Sequence, residues 1–110
     1  GMSDAEQPAP RWQTAEGVDP ASIGATPVRV RVGNDAVVVV RTSAGLRAME
    51  RACPHQKATL TEAVLMGGNL RCPKHNFLFR LSDGKGINCP GLWLKLYAVR
   101  EIEGRLEVAI

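Results

Sequence analysis

Cys53-Pro54-His55 and Cys72-Pro73-Lys74-His75 are two short, similar stretches in the middle of the 110-residue chain. They contain two of its three cysteines and both of its histidines. Each stretch supplies one thiolate and one imidazole, a mixed donor set that suits a borderline-soft metal centre. Since Pro54 and Pro73 disfavour continuation of a β-ladder, we expect both stretches to be loops.

The spacing of these residues separates the candidate metals. A structural zinc site usually pairs two cysteines and then two histidines, whereas here each pair is mixed. One residue lies between Cys53 and His55, which favours ligation of two different metal ions over a tight chelate of one. A two-iron cluster can take both thiolates on one iron and both imidazoles on the other. A zinc site stays open as the alternative.

Around these stretches the pattern predicts an all-β domain of antiparallel strands. Residues 28–32 alternate Val and Arg, which is typical of a half-buried strand, and the valine-rich residues 36–42 suit a strand buried on both faces. Further strands are expected at about residues 46–51, 69–71, 77–81, 96–102 and 105–110. A short helical turn is expected near residues 19–22, turns at residues 33–35, 43–45, 67–68, 82–84 and 103–104, and an irregular loop at residues 87–92.

The chain resembles the Rieske family, and specifically its small soluble ferredoxins, over about residues 12–110. The resemblance rests on the two stretches and on Gly67-Gly68, Phe79, Gly84, Tyr97-x-Val99 and Glu103-Gly104. It implies a Rieske-like fold, an antiparallel β-sandwich base with an inserted cluster-binding subdomain at about residues 51–92. Residues 1–11 would be a disordered tail before this single domain. The implied cofactor is one Rieske-type [2Fe–2S] cluster, bound by Cys53, His55, Cys72 and His75, with no catalytic residues.

Three residues depart from the pattern of that family. Lys57 and Asn76 stand near positions where the family commonly has Gly, and Lys74 stands near an aromatic position. Asn76 is compatible with a positive φ, because Asn tolerates that conformation better than most residues. The two additional cysteines that cross-link the loops in respiratory Rieske proteins are absent, since Ala58 or its neighbours and Lys74 occupy those places. We therefore expect the loops to depend on packing and hydrogen bonds.

The resemblance implies a carrier of single electrons between a flavin-dependent reductase and a terminal oxygenase. Histidine ligation raises the reduction potential to roughly −150 to +300 mV, and we expect the lower half of that range. Because neither iron keeps an open position, the protein is expected to be an electron carrier rather than a catalyst by itself. The small Rieske subunit of a nitrite reductase and a structural zinc-binding module are the alternatives. His55 and His75 are expected at the surface, where they would offer the exit path for the electron.

Composition narrows the remaining functions. The net charge of +3 is scattered and aromatic residues make up only 5%, which argues against nucleic-acid binding. The net positive charge gives at most a bias towards an acidic protein partner. No apolar run is long enough to cross a membrane, and no signal peptide is visible. The odd number of cysteines and the lack of a visible signal peptide together predict a reducing, cytoplasmic location. The third cysteine, Cys89, is expected to pack in a loop that covers the cluster.

Overall fold

Strands make up almost all of the regular structure in residues 10–54 and 57–110, the parts of the chain that this computed structural model describes. They are β1 (Trp12–Glu16), β2 (Val28–Val32), β3 (Asp35–Thr42), β4 (Gly45–Met49), β5 (Val64–Met66), β6 (Asn69–Arg71), β7 (Leu78–Arg80), β8 (Leu96–Tyr97), β9 (Val99–Ile102) and β10 (Arg105–Ala109). Two short 3₁₀ turns occupy Pro20–Ser22 and Leu60–Glu62. The all-β prediction is confirmed. The predictions for His55 and for most of the N-terminal tail lie outside the described residues.

Seven strands form the base of the molecule, in the order β8-β4-β3-β2-β1-β10-β9, with antiparallel pairing throughout. The first part of β1 pairs with β10 and its last two residues pair with β2, so β1 joins two halves of the sheet. Apolar side chains from both halves share one core, which gives the predicted β-sandwich base. The buried members of this core are Ala15, Ile23, Val30, Val32, Val37, Val39, Leu46, Ala48, Leu106 and Val108.

The valine run in β3 separates two cores. Residues 37–40 are all fully buried, as predicted from the absence of polar residues in the run. Because successive side chains of a strand point to opposite faces, Val37 and Val39 belong to the core of the base. Val38 and Val40 face the other way, into a second core under the inserted strands. A strand that serves two cores has no solvent face, which explains its continuous apolar sequence.

A smaller antiparallel sheet, in the order β5-β6-β7, is inserted between β4 and β8. Leu70 of β6 and Phe79 of β7 are directly opposite each other and fully buried. They pack in the second core, whose other buried members are Val38, Val40, Met49, Cys53, Leu60, Ala63, Cys72, Leu81, Cys89 and Leu94. All three cysteines thus lie between the small sheet and the base.

The predicted hairpin turns occur where expected. Glu103 and Gly104 connect β9 to β10 with φ values of 51° and 76°, the conformation of a two-residue turn with both central residues left-handed.

No helix in the described part of the chain is long and apolar enough to span a bilayer.

Two strand predictions were wrong in their bounds. The expected strand at residues 96–102 is divided at Ala98, because β8 pairs with β4 whereas β9 pairs with β10. The strand expected to reach Arg51 ends at Met49. There the Glu50 N–H still donates to the Lys95 carbonyl at 3.0 Å, but the Lys95 N–H donates to the Glu50 carboxylate at 2.6 Å, so a side chain takes one of the two bonds of this pair. Neither β1 nor β5 was predicted as a strand; the sequence of β1, WQTAE, has little apolar alternation, and β5 has only three residues.

Candidate metal centre

Two loops, each closed at its base by a backbone hydrogen bond, carry the cysteines of the predicted site. Loop A is residues 53–58 and loop B is residues 72–77. In loop A the Cys53 N–H donates to the Ala58 carbonyl at 2.9 Å, and in loop B the Cys72 N–H donates to the Phe77 carbonyl at 2.7 Å. In both loops the bond spans five residues, so each cysteine is held at the base of its loop.

The loops turn through left-handed backbone conformations. Lys57 in loop A has a φ of 55°, and His75 and Asn76 in loop B have φ values of 62° and 53°. Lys57 and Asn76 are each the fourth residue after a cysteine, so the two loops bend at equivalent positions. The predicted positive φ of Asn76 is confirmed. A left-handed Lys is less favourable than Gly or Asn, and the hydrogen bond from the Lys57 N–H to the Cys53 carbonyl, 2.8 Å, stabilises this turn.

The two thiols lie together and away from solvent. Cys53 is 1% exposed and Cys72 is fully buried. Burial raises the pKa of Cys72 most, the Lys74 backbone N–H lowers it by less, and the hydrogen bond and charge of Cys53 and the charge of Cys89 raise it further. Two thiolates are therefore unfavourable here unless a cation neutralises them. A metal centre does so, because a coordinating thiol is deprotonated by the ion. The donor set thus fits an iron–sulfur group.

The structure describes one of the two histidines of the predicted site. His75 is exposed on loop B, and its ring lies 5.9 Å from that of Phe77, centroid to centroid. His55 lies outside the described residues. Within residues 10–54 and 57–110, no three His, Cys, Asp or Glu side chains converge in a metal-binding arrangement. The structure therefore brings Cys53 and Cys72 together and places His75 three residues beyond Cys72, at the surface.

Loop C, residues 87–92, is attached to loop B through one side chain that the sequence did not single out. The Asn88 amide accepts the Leu78 backbone N–H at 2.8 Å and donates to the Asn76 carbonyl at 3.0 Å. An amide can do both because it carries a donor and an acceptor. Asn88 thereby fixes the end of loop B. An Asn in a turn-rich segment is common, so only the fold shows which loop it contacts.

Cys89 lies in loop C and is 6% exposed. Its thiol packs in the same core as Cys53 and Cys72, and it faces the Leu78 carbonyl at 3.8 Å. Burial raises the pKa of Cys89, as does the charge of Cys53, while the Asn88 backbone N–H lowers it. Gly86 lies against this residue so closely that a Cβ there would be 2.7 Å from the Cys89 carbonyl oxygen and Sγ. Cys89 is thus a buried packing residue in the loop beside the thiol pair, as expected.

Comparisons with known proteins agree with this arrangement. Residues 12–98 match the Rieske [2Fe-2S] domain family. The ferredoxin component of the alkene monooxygenase system of Xanthobacter autotrophicus is 32% identical over 76 residues, which are 68% of this chain and 62% of that protein. Apoptosis-inducing factor 3 of Homo sapiens is 36% identical over 63 residues, 57% of this chain. The chain spans about a tenth of the length of that relative and less than two thirds of the ferredoxin component.

Solved structures share the fold. A chain in the complex of reduced oxygenase and oxidised ferredoxin of carbazole 1,9a-dioxygenase is 30% identical, with a TM-score of 0.76, over 89% of this chain and 92% of that one. A protein described as a putative NADH-dependent nitrite reductase small subunit from Mycobacterium tuberculosis has a TM-score of 0.79 at 20% identity, over 94% and 97% of the two chains. The second likeness concerns the fold alone.

The fold and the paired loops define an iron–sulfur protein. The chain belongs to the Rieske [2Fe–2S] domain family. Its cofactor is one Rieske-type [2Fe–2S] cluster, a group that takes up and releases single electrons.

Proposed function

We propose that the protein is a single-electron carrier whose cluster is held by Cys53 and Cys72 on one iron and by His55 and His75 on the other. The observation that carries this proposal is the contact between two buried thiols at the bases of two similarly closed loops. The exposure of His75 supports it further, because an imidazole at the surface gives the electron a short path to a partner protein.

The ligand set suits this role for an electrostatic reason. With two thiolates and two neutral imidazoles the oxidised cluster is formally neutral, whereas an all-cysteine cluster is a dianion. Adding an electron to the neutral cluster is easier, so its potential lies at roughly −150 to +300 mV instead of about −400 mV. The Lys74 backbone N–H lowers the pKa of Cys72 and so favours negative charge on its sulfur, and hydrogen bonds of this kind also raise the potential. Lys57 and Lys74 are exposed, so water and salt weaken their effect.

The proposed partners are a flavin-dependent reductase and a terminal oxygenase. Support comes from the ferredoxin component of an alkene monooxygenase system and from the complex of an oxygenase with a ferredoxin. The role of a nitrite reductase small subunit remains the alternative, supported only by a common fold at similar length. Purification as a stable protein that reduces an oxygenase on its own would favour the carrier. Co-purification with a large reductase subunit would favour the alternative.

Substitution of His75 tests the ligand assignment. In His75→Cys a third thiolate adds negative charge to the cluster, so the reduction potential should fall by about 100 mV or more in a redox titration. Lys74→Cys is the matched control, since it places a thiol on the same loop and keeps the imidazole; its potential should stay close to that of the wild type. An unchanged potential in His75→Cys would mean that His75 is not a ligand.

Colour and metal content distinguish the proposed iron–sulfur protein from the alternative, a structural zinc-binding module. A protein with the proposed cluster absorbs broadly in the visible range and is bleached by reduction with dithionite. A zinc protein is colourless and does not respond to a reductant, because zinc has no redox chemistry.

A further inference from the structure

A groove lies on the surface of the base, beside loop A. It consists of two adjoining cavities of about 600 and 410 Å³, which share Asp35, Ala36 and Arg51 as lining residues. Small side chains, among them Ala36, Ala52 and Ala98, leave room within it. Arg51 lies two residues before Cys53, so the groove reaches the base of a loop that carries a proposed cluster ligand.

The groove has an excess of positive charge. Arg29, Arg31 and Arg51 line the smaller cavity, and Lys95 lines the larger one. Within the described residues, neither Arg29 nor Arg51 takes part in an ion pair. The Arg31 Nε donates to the Gly33 carbonyl at 3.3 Å, and within the described residues its one ion pair is a distant contact with Glu16, 3.9 Å between two side chains that are about 70% exposed. Such a contact contributes little, so the three guanidinium groups remain available to an external anion.

The acidic residues of the groove do not cancel this charge. The Glu50 carboxylate accepts the Lys95 backbone N–H at 2.6 Å, and this contact holds it against the chain. Asp35 is exposed and stands alone against three arginines in the smaller cavity. The groove is therefore a cationic concave surface whose lining is also partly apolar.

The pairing of β2 with β3 places this charge at the end of a sheet face. Arg29 is opposite Val38 and Arg31 is opposite Ala36, so these side chains share one face. Val38 is covered by the inserted strands, whereas Ala36 is only partly buried and lines the groove. The same face thus begins under the cluster-binding insertion and continues into the groove.

We propose that this groove binds an acidic, extended segment of the redox partner protein and so aligns that partner with the end of the molecule that carries loop A. The proposal rests on the proposed electron-carrier function for the identity of the partner. Arginine suits the role because its planar guanidinium forms paired hydrogen bonds with carboxylates.

The lining favours a protein over a nucleic acid. Among the described residues that line the two cavities, Tyr97 is the one aromatic, and its ring already faces the Lys95 Nζ at 5.2 Å. Binding of single strands usually uses several aromatic residues as stacking surfaces.

Titration of the cluster-loaded full chain with a decaglutamate peptide tests the proposal. Nuclear magnetic resonance should show perturbed amides along the groove, and the dissociation constant should rise about tenfold in Arg29→Glu/Arg51→Glu. Lys85→Glu is the control, because Lys85 is exposed, forms no ion pair in the described residues and lies outside both cavities. It should change the dissociation constant by less than about twofold. Raising the salt concentration should weaken peptide binding to the wild type.

Three results would overturn the proposal. The first is an equal loss of peptide binding in Lys85→Glu and in the double variant. The second is tighter binding of single-stranded DNA of the same charge than of decaglutamate. The third concerns residues 1–9, which contain Asp4 and Glu6 and precede Pro10 at the larger cavity. If their deletion strengthened peptide binding about tenfold, the chain's own segment would be the occupant.

This test is separate from that of the cluster. Arg29→Glu/Arg51→Glu should keep the iron content of the wild type and a reduction potential close to it, because both side chains are exposed and water and salt screen their charge. A protein without iron that still bound decaglutamate in the groove would contradict the proposed function and leave the groove as an acidic-peptide site. A protein with its cluster whose groove did not bind the peptide would contradict only the inference about the groove.

Discussion

At the scale of single residues, Asn88 shows how one amide positions a cluster loop. Its two hydrogen bonds join loop C to the end of loop B. Replacement in Asn88→Ala leaves the Leu78 N–H and the Asn76 carbonyl without these partners, which should lower the free energy of unfolding by about 1–2 kcal/mol. Loop B should also release the cluster faster, measured as the rate at which visible absorption is lost in urea.

A matched variant separates this role from a general effect of losing an asparagine. Asn34 lies in the turn between β2 and β3 and forms no side-chain hydrogen bond within the described residues. Asn34→Ala should therefore leave the rate of cluster loss unchanged. If the two variants lost the cluster equally fast, the contacts of Asn88 would not hold loop B.

Sequence predicts single residues where the residue type itself carries the chemistry. Cys53 and Cys72 were predicted as partners from their mixed pairing with histidines, and the structure brings their thiols together. The left-handed conformation of Asn76 was predicted from the properties of Asn. The contacts of Asn88 could not be predicted, because they depend on how loop C folds back on loop B. The assignment of His55 and His75 as ligands stays a prediction.

At the scale of elements, the segment after β7 depends on a close approach of two backbones. Gly84 has a φ of +86°, and a Cβ there would lie against the Leu94 carbonyl oxygen. Gly91 has nearly the same φ, +85°, with nothing within 4 Å of its added Cβ. Gly91→Ala should lower the free energy of unfolding by about 1–2 kcal/mol, because its one penalty is the strain of Ala in the left-handed conformation. Gly84→Ala should cost about 2 kcal/mol more, because the backbone must move.

Chemical denaturation of the two variants measures this difference. Since both residues have nearly the same φ, the difference between them reports mainly on the contact with Leu94. Equal free energies of unfolding would show that loop C and the segment around Leu94 adapt without strain.

Elements were predicted best where local pattern and tertiary contacts agree. The valine run of β3 was correctly predicted to be buried on both faces, because both faces meet apolar cores. The division of residues 96–102 at Ala98 could not be predicted. It arises because β8 and β9 pair with strands that are far apart in the sheet order, and the local sequence stays strand-like across the break.

At the scale of the whole molecule, β3 links the base to the inserted strands. Val38 packs in the core that contains the cysteines, and its neighbour Val37 packs in the core of the base. Val37→Ala and Val38→Ala should each lower the free energy of unfolding by about 2 kcal/mol. If residues 12–110 are a single domain, as the sequence predicts, each variant should shift one common transition.

Two probes followed in the same titration check this prediction. Visible absorption reports on the cluster and far-ultraviolet circular dichroism reports on the sheets. Their transitions should coincide in both variants. If Val38→Ala released the cluster at a urea concentration where the base stayed folded, the insertion would be an independent unit.

The central claim is that two thiolates and two imidazoles bind one two-iron cluster between loops A and B. The most direct test is an electron paramagnetic resonance spectrum of the dithionite-reduced protein, together with its iron and acid-labile sulfide content. We predict about two iron and two sulfide per chain and an average g value below that of all-cysteine clusters. A colourless protein that contained neither iron nor sulfide, and that could not be reconstituted with them, would contradict this account.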